Sequence, residues 1–302
     1  MEMAQGVVFG LFGNTGKQAA IEAVQTTIHF LEERGIAFLV EEDIAALLHY
    51  TASQGSSGGV GSRTMLGRHA DFVITFGGDG TMLSAIQSTL PYDTPVLGVN
   101  LGKLGFLADV AVDEVFQAIE HILEGRHTVE RRMTITGKVA DEMLEFHALN
   151  DIVLAKGGTA KVISIDAFVD GDFLASFLAD GIIVSTPTGS TAYSLATGGP
   201  VVVPTSEVIV ISPISAHTLT ARPVIVPGNS RIDVHASTEE GSVTVMHDGH
   251  PAMRESERIH IGISRGRHPV ALIKNLGPNY FETLRIKLIW AQDGRIADSA
   301  KR

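Results

Sequence analysis

The sequence predicts a protein of two parts, an α/β region followed by an all-β region. The first part alternates apolar runs with stretches of helical periodicity, which is typical of a parallel sheet with helical crossovers. After a helical stretch at 113–123, the pattern changes to short runs with twofold alternation. The length of 302 residues lies above the usual single-domain range and also favours two domains.

Strands in the α/β region are predicted from buried apolar runs, and helices from apolar residues at helical spacing. Its elements are a strand at 6–12, a helix at 17–34, a strand at 36–40, a strand at 71–76, a helix at 81–90 and a strand at 95–99. Residues 51–62 are rich in Gly and Ser and show no periodicity. We expect them to form a mobile loop near the site rather than a linker, because the sheet pattern continues beyond them.

The second part is predicted to be all β, because its alternating runs are separated by Gly, Asn and Pro turns. The clearest strands are expected at 161–168, 208–212, 231–235, 242–246 and 258–264.

Composition excludes several classes of function. The chain has 34 acidic and 23 basic residues and a net charge of −11, so no nucleic-acid partner is expected. It has no cysteine, which excludes disulfides, thiolate catalysis and cysteine-bound metals. The sequence shows neither a cleavable leader nor a run of roughly 20 apolar residues, so we expect a cytoplasmic protein without a membrane partner.

The most informative short motif is the glycine-rich turn that follows the strand at 71–76. Gly77, Gly78 and Gly80 leave the backbone free to take positive φ and to approach a ligand closely. Thr81 can cap the following helix, whose first amides point at the turn. Asp79 is then a carboxylate at the C-terminal end of a parallel strand, where open α/β sheets bind ligands. The alternative is a structural turn in which Asp79 is a second capping group.

Residues 180–193 form a second turn of small hydroxyl, glycine and carboxylate residues after an apolar run, so the two turns suggest two halves of one nucleotide site. Two other patterns are weaker evidence for a functional site. Residues 10–18 depart from a Walker phosphate loop at Leu11 and Gln18. His247 and His250 do not favour a metal pair, because residues three apart on a strand end are expected to point to opposite faces.

These motifs resemble those of the NAD kinases, which transfer a phosphoryl group from ATP to the 2′-hydroxyl of the adenosine ribose of NAD. The resemblance covers most of the chain and is carried by residues 77–81, 95–107, 149–151, 180–200, 213–217, 222–223 and 248–249. Lipid kinases and phosphofructokinases share the glycine-aspartate turn, whereas the motif at 180–200 is far more specific to NAD kinases.

The resemblance implies a Rossmann-like α/β domain at 1–124, a β-rich NAD-binding domain at 125–275, and a C-terminal segment, 276–302, that returns to the first domain. The dinucleotide is expected between the two domains. A helix predicted at 279–290 carries an apolar face formed by Tyr280, Phe281, Leu284, Leu288 and Ile289. Its alternatives are packing on the β-rich domain or a subunit interface.

The resemblance also implies roles for single residues. Asp79 matches the catalytic aspartate, either accepting the ribose proton or positioning hydroxyl and metal. Because phosphoryl transfer has a loose transition state, we expect placement to outweigh base strength. Asn150 and Asp151 match an Asn-Glu pair that contacts the dinucleotide, although the acid here is one methylene shorter. The alternative for this pair is a surface turn that opens a strand at 152–155.

Further nucleotide-binding residues follow from the same alignment of motifs. They are Asp180, Thr191, Ala192, Tyr193, Ser194, Ala196, Lys161 and His250, together with the glycine turn. Ala196 stands where many members carry Ser, so one hydrogen bond is expected to be missing there. Lys161 and His250 have plain alternatives as a solvated strand residue and a turn residue.

The sequence therefore predicts an NAD kinase that uses ATP. It leaves open whether polyphosphate can replace ATP as the phosphoryl donor. Magnesium or another divalent cation is implied, because the β- and γ-phosphates need bridging. A homo-oligomer, either a dimer or a tetramer, is implied by the resemblance alone. The alternatives are a lipid or sugar kinase with the same glycine-aspartate turn, and a non-catalytic NADP(H) sensor.

Overall fold

The computed structural model of the chain describes residues 6–51, 57–139, 144–158, 161–253, 255–274 and 277–290. These residues form two compact units. One comprises the described residues as far as Glu130 and from Ala271 onward, and the other comprises Arg131–Val270. The sequence placed the domain limits at 124 and 275, whereas the units change over at 130 and 270, because strands in both stretches join the sheet of the α/β unit.

The α/β unit is built on one sheet flanked by helices. Its strands are β1 (Val8–Gly13), β2 (Ala37–Glu41), β3 (Gly58–Gly61), β4 (Phe72–Gly77), β5 (Val96–Asn100), β6 (Val110–Ala111), β7 (Thr128–Arg132) and β20 (Val270–Lys274). Its helices are α1 (Gln18–Glu33), α2 (Glu42–Leu47), α3 (Arg63–His69), α4 (Asp79–Thr89), α5 (Val115–Leu123) and α7 (Tyr280–Lys287). Short 3₁₀ turns span Leu90–Tyr92 and Val112–Glu114.

The strand order is β3-β2-β1-β4-β5-β20-β7, with β6 paired to the end of β5. Strands β1 to β6 pair in parallel, which requires the helical crossovers that the sequence indicated. The core strands are apolar along their whole length because helices cover both faces of such a sheet. Helix α1 contributes a fully buried stripe that includes Ala20, Val24 and Leu31.

The segment predicted as a mobile loop differs from that expectation. Residues 52–56 lie outside the described residues, but Gly58–Gly61 form the edge strand β3, parallel to β2. Helix α3 then begins at once, with the Ser62 hydroxyl accepting a hydrogen bond from the Met65 amide. Glycine is required at Gly58, because a Cβ there would lie 2.2 Å from the ring of Phe38. A strand made of glycines shows no side-chain alternation, so the sequence pattern could not reveal it.

The β unit consists of two six-stranded antiparallel sheets, with strand orders β15-β14-β13-β10-β17-β18 and β12-β11-β16-β19-β8-β9. The strands are β8 (Ile135–Val139), β9 (Leu144–Ala148), β10 (Asp151–Gly157), β11 (Ile163–Val169), β12 (Asp172–Ala179), β13 (Gly181–Ser185), β14 (Val208–Ile214), β15 (Val224–Pro227), β16 (Ile232–Ser237), β17 (Ser242–His247), β18 (His250–Pro251) and β19 (Arg258–Arg265). A 3₁₀ turn (Thr188–Thr191) and the short helix α6 (Tyr193–Ala196) follow β13. Inward side chains of both sheets form one continuous apolar core.

The C-terminal segment returns to the α/β unit, as predicted, and it does so first as a strand. Strand β20 pairs in parallel with β5, Leu272 opposite Val96. Helix α7 follows, opened by a reciprocal capping pair in which Asn279 and Glu282 bond each other's amides. The predicted apolar face is only partly buried, since Leu284 is 5% exposed whereas Phe281 is 55% exposed.

Candidate functional site

The α/β unit offers a ligand site where its strand order reverses. From β1 the chain proceeds outward to β2 and β3, and it then returns to β4 on the other side of β1. Open α/β sheets bind ligands in the crevice at the carboxyl ends of the two strands that flank such a point. The Asn14 amide donates to the Phe76 carbonyl at 3.0 Å, which ties the ends of β1 and β4 together. A cavity of about 210 Å³ lies there, lined by Phe12, Gly13, Asn14, Thr15, Arg63, Gly80, Thr81 and Ser84.

Asp79 is the first residue of α4, and a single residue, Gly78, separates it from the end of β4. Its carboxylate accepts three backbone hydrogen bonds, from the amides of Phe106 at 2.9 Å, Leu107 at 3.0 Å and Ala108 at 3.1 Å. Gly105 makes this approach possible, because a Cβ there would lie 2.1 Å from a carboxylate oxygen of Asp79. The Asp79 side chain thus links the start of α4 to the 105–108 segment. The sequence pattern indicated Asp79 but not these hydrogen-bond partners.

Clearance explains one glycine of the turn, Gly77, and unusual backbone angles explain none of the three. None of Gly77, Gly78 and Gly80 has positive φ, so that expectation was wrong. A Cβ at Gly77 would lie 2.2 Å from the Thr81 hydroxyl, whereas Cβ atoms at Gly78 and Gly80 would meet nothing within 4 Å. The prediction that Thr81 caps α4 was also wrong. The helix begins at Asp79 with Gly78 as its cap, and the Thr81 hydroxyl instead accepts a hydrogen bond from the Asn14 side chain at 3.4 Å.

In the β unit, Asn150 and Asp151 lie at the start of β10, in a segment that Asp248 holds in place. The Asp248 carboxylate accepts hydrogen bonds from the amides of Leu149 at 2.8 Å, Asn150 at 2.7 Å and Asp151 at 3.2 Å. Asp248 belongs to the hairpin turn between β17 and β18, where it and Gly249 both take positive φ. The Asn-Asp segment is therefore fixed in place, with Asp151 buried and Asn150 half-buried, which argues against the alternative of a solvated surface turn.

The carboxyl group of Asp151 lies in an unusual electrostatic environment. Its side chain is almost fully buried, and burial followed by the charge of Asp248 raises the pKa of Asp151 to about 7. Burial also raises the pKa of Asp248, although its three amide donors act in the opposite direction. Two buried carboxyl groups at one turn are typical of functional sites, where such perturbed pairs cluster.

The motif after β13 packs directly against this segment. The Thr186 amide donates to the Asn150 carbonyl at 2.9 Å, and the Thr186 hydroxyl donates to the Leu149 carbonyl. Gly189 must be glycine, because a Cβ there would lie 2.1 Å from the Asn150 carbonyl oxygen. The structure therefore brings together two predicted motifs that lie about 40 residues apart in the chain.

The residues that follow present a mixed surface. Thr191 and Ala192 are half-buried, and Tyr193, the first residue of α6, is exposed. Ser194 is buried, with its hydroxyl 3.3 Å from that of Ser212. Ala196 is exposed at the end of α6.

Three other predicted residues have structural partners of their own. Asp180 pairs with Lys156, whose Nζ lies 2.6 Å from a carboxylate oxygen of Asp180. Lys161 pairs with Glu240 on the surface. His250 is exposed and lies directly opposite His247 across the β17–β18 hairpin, with ring centroids 6.3 Å apart. The two rings therefore share a face, and the expectation of opposite faces was wrong because the chain reverses between them.

The part of the chain that the structure describes holds no group of three His, Asp or Glu residues that could bind a metal ion. Among the same residues, no helix is long and apolar enough to cross a membrane.

Comparison with known proteins agrees with this arrangement. Residues 9–127 match the family model of the ATP-NAD kinase N-terminal domain, and residues 149–275 match that of the ATP-NAD kinase C-terminal domain. An NAD kinase of Thiobacillus denitrificans is 36% identical over 286 residues, which cover 94% of this chain and 96% of the relative.

Two solved structures have the same fold. The crystal structure of yeast NADH kinase complexed with NADH aligns with a TM-score of 0.86 and 25% identity, over 95% of this chain and 89% of that one. An NAD kinase from Archaeoglobus fulgidus in complex with ATP aligns with a TM-score of 0.73 and 24% identity, over 92% of this chain and 99% of that one, which supports the fold alone.

The glycine-aspartate turn at the end of β4 and the β unit, with its Asn-Asp turn fixed by Asp248, define a kinase that acts on a nucleotide. The chain belongs to the NAD kinase family, enzymes that use ATP to phosphorylate NAD to NADP. The alternative of a lipid or sugar kinase is wrong, because the β unit matches the NAD kinase C-terminal domain as well. The alternative of a non-catalytic NADP(H) sensor is set aside as well, because the chain belongs to a family of enzymes.

Proposed function

We propose that this chain transfers the γ-phosphoryl group of ATP to the 2′-hydroxyl of the adenosine ribose of NAD, with Asp79 orienting the reacting groups. The observation that carries the role of Asp79 is its three backbone hydrogen bonds to the 106–108 segment. These bonds fix the carboxylate before a substrate arrives, and its remaining lone-pair capacity can accept a hydrogen bond from a hydroxyl. Asp79 is thus suited to orient the acceptor hydroxyl.

Placement suffices for this chemistry. The transition state of phosphoryl transfer is loose, so catalysis depends on alignment and on neutralising charge rather than on early deprotonation. A carboxylate fixed by three amides costs no reorganisation when the acceptor hydroxyl arrives, which is the condition for effective positioning.

We assign binding of the acceptor to the β unit. The segment of Asn150 and Asp151, of which Asp151 is buried and Asn150 half-buried, is fixed by Asp248 and packed against the turn at 186–190. The amide of Asn150 offers both a donor and an acceptor to adenine, and the carboxyl group of Asp151 can bond ribose hydroxyls. Tyr193 supplies an exposed ring for stacking, beside Thr191 and Ala192. The roles predicted for Ser194, Ala196, Asp180, Lys161 and His250 stay predictions, and the last three side chains also have structural explanations.

A divalent cation, magnesium or another, is part of the proposal. Mg²⁺ is commonly bound through substrate phosphates, water and one or two carboxylates, so it needs no dedicated protein cage. That preference fits the described residues, which contain no group of three metal-binding side chains. Asp79 is the carboxylate that would contact it. When bound, the ion neutralises charge on the β- and γ-phosphates.

The assay that tests the proposal measures NADP formation with NAD and ATP in the presence of magnesium. Parallel reactions with polyphosphate or no donor, and with NADH as acceptor, define the substrate range that the sequence left open. Formation of NADP only when ATP and NAD are both present supports the proposal, and no product from any pair contradicts it. A homo-oligomer and a cytoplasmic location stay predictions, which light scattering and cell fractionation test.

A further inference from the structure

The cavity at the ends of β1 and β4, which we call the β1–β4 cavity, contains one cationic side chain that the sequence analysis did not single out. Arg63 is the first residue of α3, the helix that follows β3 in the chain, and it lines the cavity. The remaining lining consists of the chain after β1, from Phe12 to Thr15, and the first turns of α4.

The lining of the β1–β4 cavity is polar and contains no carboxylate. Asn14, Thr15, Thr81 and Ser84 provide one amide and three hydroxyl groups, and Phe12 is the single large apolar side chain among the residues that line it. A nucleobase needs a largely apolar slot, whereas a phosphate chain needs donors and positive charge. The volume of about 210 Å³ is also small for a dinucleotide. The cavity therefore suits phosphate groups better than a base.

Arg63 is held in a fixed orientation. Its Nε donates to a carboxylate oxygen of Glu41 at 2.9 Å, and its Nη2 lies 3.4 Å from Asp43. The guanidinium also lies over the ring of Phe12, 5.0 Å from the centroid. Glu41 is 2% exposed and accepts a further hydrogen bond from the Ile44 amide, so its own position is fixed by burial. An arginine oriented in this way loses little side-chain entropy when it binds an anion.

We propose that Arg63 binds the phosphate chain of the donor nucleotide in the β1–β4 cavity, with Glu41 as its positioning residue. The inference rests on the proposed function, because it assumes that the donor is a nucleoside triphosphate. The donor fits this place better than the acceptor does. Gly80 and Thr81 of the cavity adjoin Asp79 in the chain, whereas the residues assigned to NAD all belong to the β unit.

The test compares Arg63→Met, Arg63→Lys and Glu41→Gln with Arg68→Met, a matched control on the exposed surface of the same helix and outside the cavity lining. The rate is measured with ATP varied at saturating NAD, and with NAD varied at saturating ATP. Arg63→Met should lower kcat/KM for ATP by about tenfold or more, the scale of one charge-assisted hydrogen bond, while KM for NAD stays within about twofold. Arg63→Lys should lose less, because it keeps the charge without the planar fork.

Glu41→Gln should raise KM for ATP by several-fold with Arg63 intact, and the Arg68→Met protein should behave as the unaltered chain. Calorimetric binding of ATP gives a readout that does not depend on turnover, and thermal unfolding checks that each variant is folded. An unchanged KM and binding constant for ATP in folded Arg63→Met would overturn the inference, and so would an equal rise in KM for NAD. If the unaltered chain bound ATP through Arg63 but made no NADP, the proposed function would fail and the inference would stand.

Discussion

Asp79 shows how the position of a single side chain can be fixed by its surroundings. Its three amide donors come from residues 27 to 29 positions further along the chain. The glycine turn could be recognised in the sequence because small residues and a carboxylate follow an apolar run. The donors could not, since no local pattern in 105–108 indicates that their amides face a carboxylate.

We expect Asp79→Asn to lower turnover by at least about a hundredfold, the scale of losing a positioned charged group, while NAD affinity changes by only a few-fold. Steady-state kinetics together with equilibrium binding of NAD separate the two effects. Asp113→Asn, a change at an exposed residue of the same unit, is the control and should have no effect. Turnover retained in a folded Asp79→Asn protein would remove Asp79 from the mechanism.

Asp151 makes the stability of the fold depend on pH. Its pKa is raised from 3.8 to about 7, so the folded state favours the protonated form. The stability that this group contributes is complete below its unfolded pKa and is lost as the pH rises through about 7. Asp151→Asn cannot ionise, so its unfolding free energy should gain a few kcal/mol over the unaltered chain between about pH 5 and pH 8. Denaturant titrations across this range measure the gain, and a constant difference between the two proteins would contradict the assignment.

Among the elements, those that the sequence indicated well are the ones with strong apolar patterning. Helix α1 was predicted at 17–34 and spans Gln18–Glu33, and β4 was predicted at 71–76 and spans Phe72–Gly77. The sequence pattern did not reveal β3, because its glycines have no side chains that could alternate. At Gly58 the missing Cβ leaves room for Phe38 and Tyr50. Without β3 as a guide, α3 was missed as well, and with it Arg63. Because α3 was not predicted, Arg63 was not considered as a candidate site residue.

Helix α7 offers a prediction in which two apolar residues of one helix behave differently. Leu284→Ala should cost about 2–5 kcal/mol of unfolding free energy, because Leu284 is buried and its loss leaves a cavity. Phe281→Ala, at an exposed position of the same helix, should cost less than about 1 kcal/mol. Chemical denaturation of both variants measures the difference. Equal costs would show that Phe281 has a buried partner, such as a second subunit.

For the whole molecule, the two units differ in how the chain builds them. The β unit is one uninterrupted segment, Arg131–Val270, with its own apolar core. The α/β unit is assembled from two separate segments, and β20 lies between β5 and β7 in its sheet. The overall division into an α/β part and a β part followed from sequence patterning. The exact boundaries between the two units did not, because β7 and β20 are short strands whose partners are distant in the sequence.

We therefore expect an isolated 131–270 polypeptide to fold alone and a 1–130 polypeptide to fail. Circular dichroism should show a cooperative thermal transition for the first and none for the second, because the second lacks the strand that fills the sheet beside β5. Neither should make NADP, since the first lacks Asp79. A cooperative transition in the 1–130 polypeptide would show that β20 is dispensable to the sheet.

The position of β20 also means that β5 is synthesised long before its neighbour in the sheet. Strand β5 is complete at Asn100, but its neighbour does not emerge until residue 270 has been made, and β6 meanwhile pairs only with Val99 and Asn100. At about 5–20 residues per second, the nascent chain waits roughly 10–30 s with one edge of an apolar strand unpaired. Such an edge is a template for wrong pairing. We therefore expect the yield of folded protein in a cell to depend on what shields β5 during that interval.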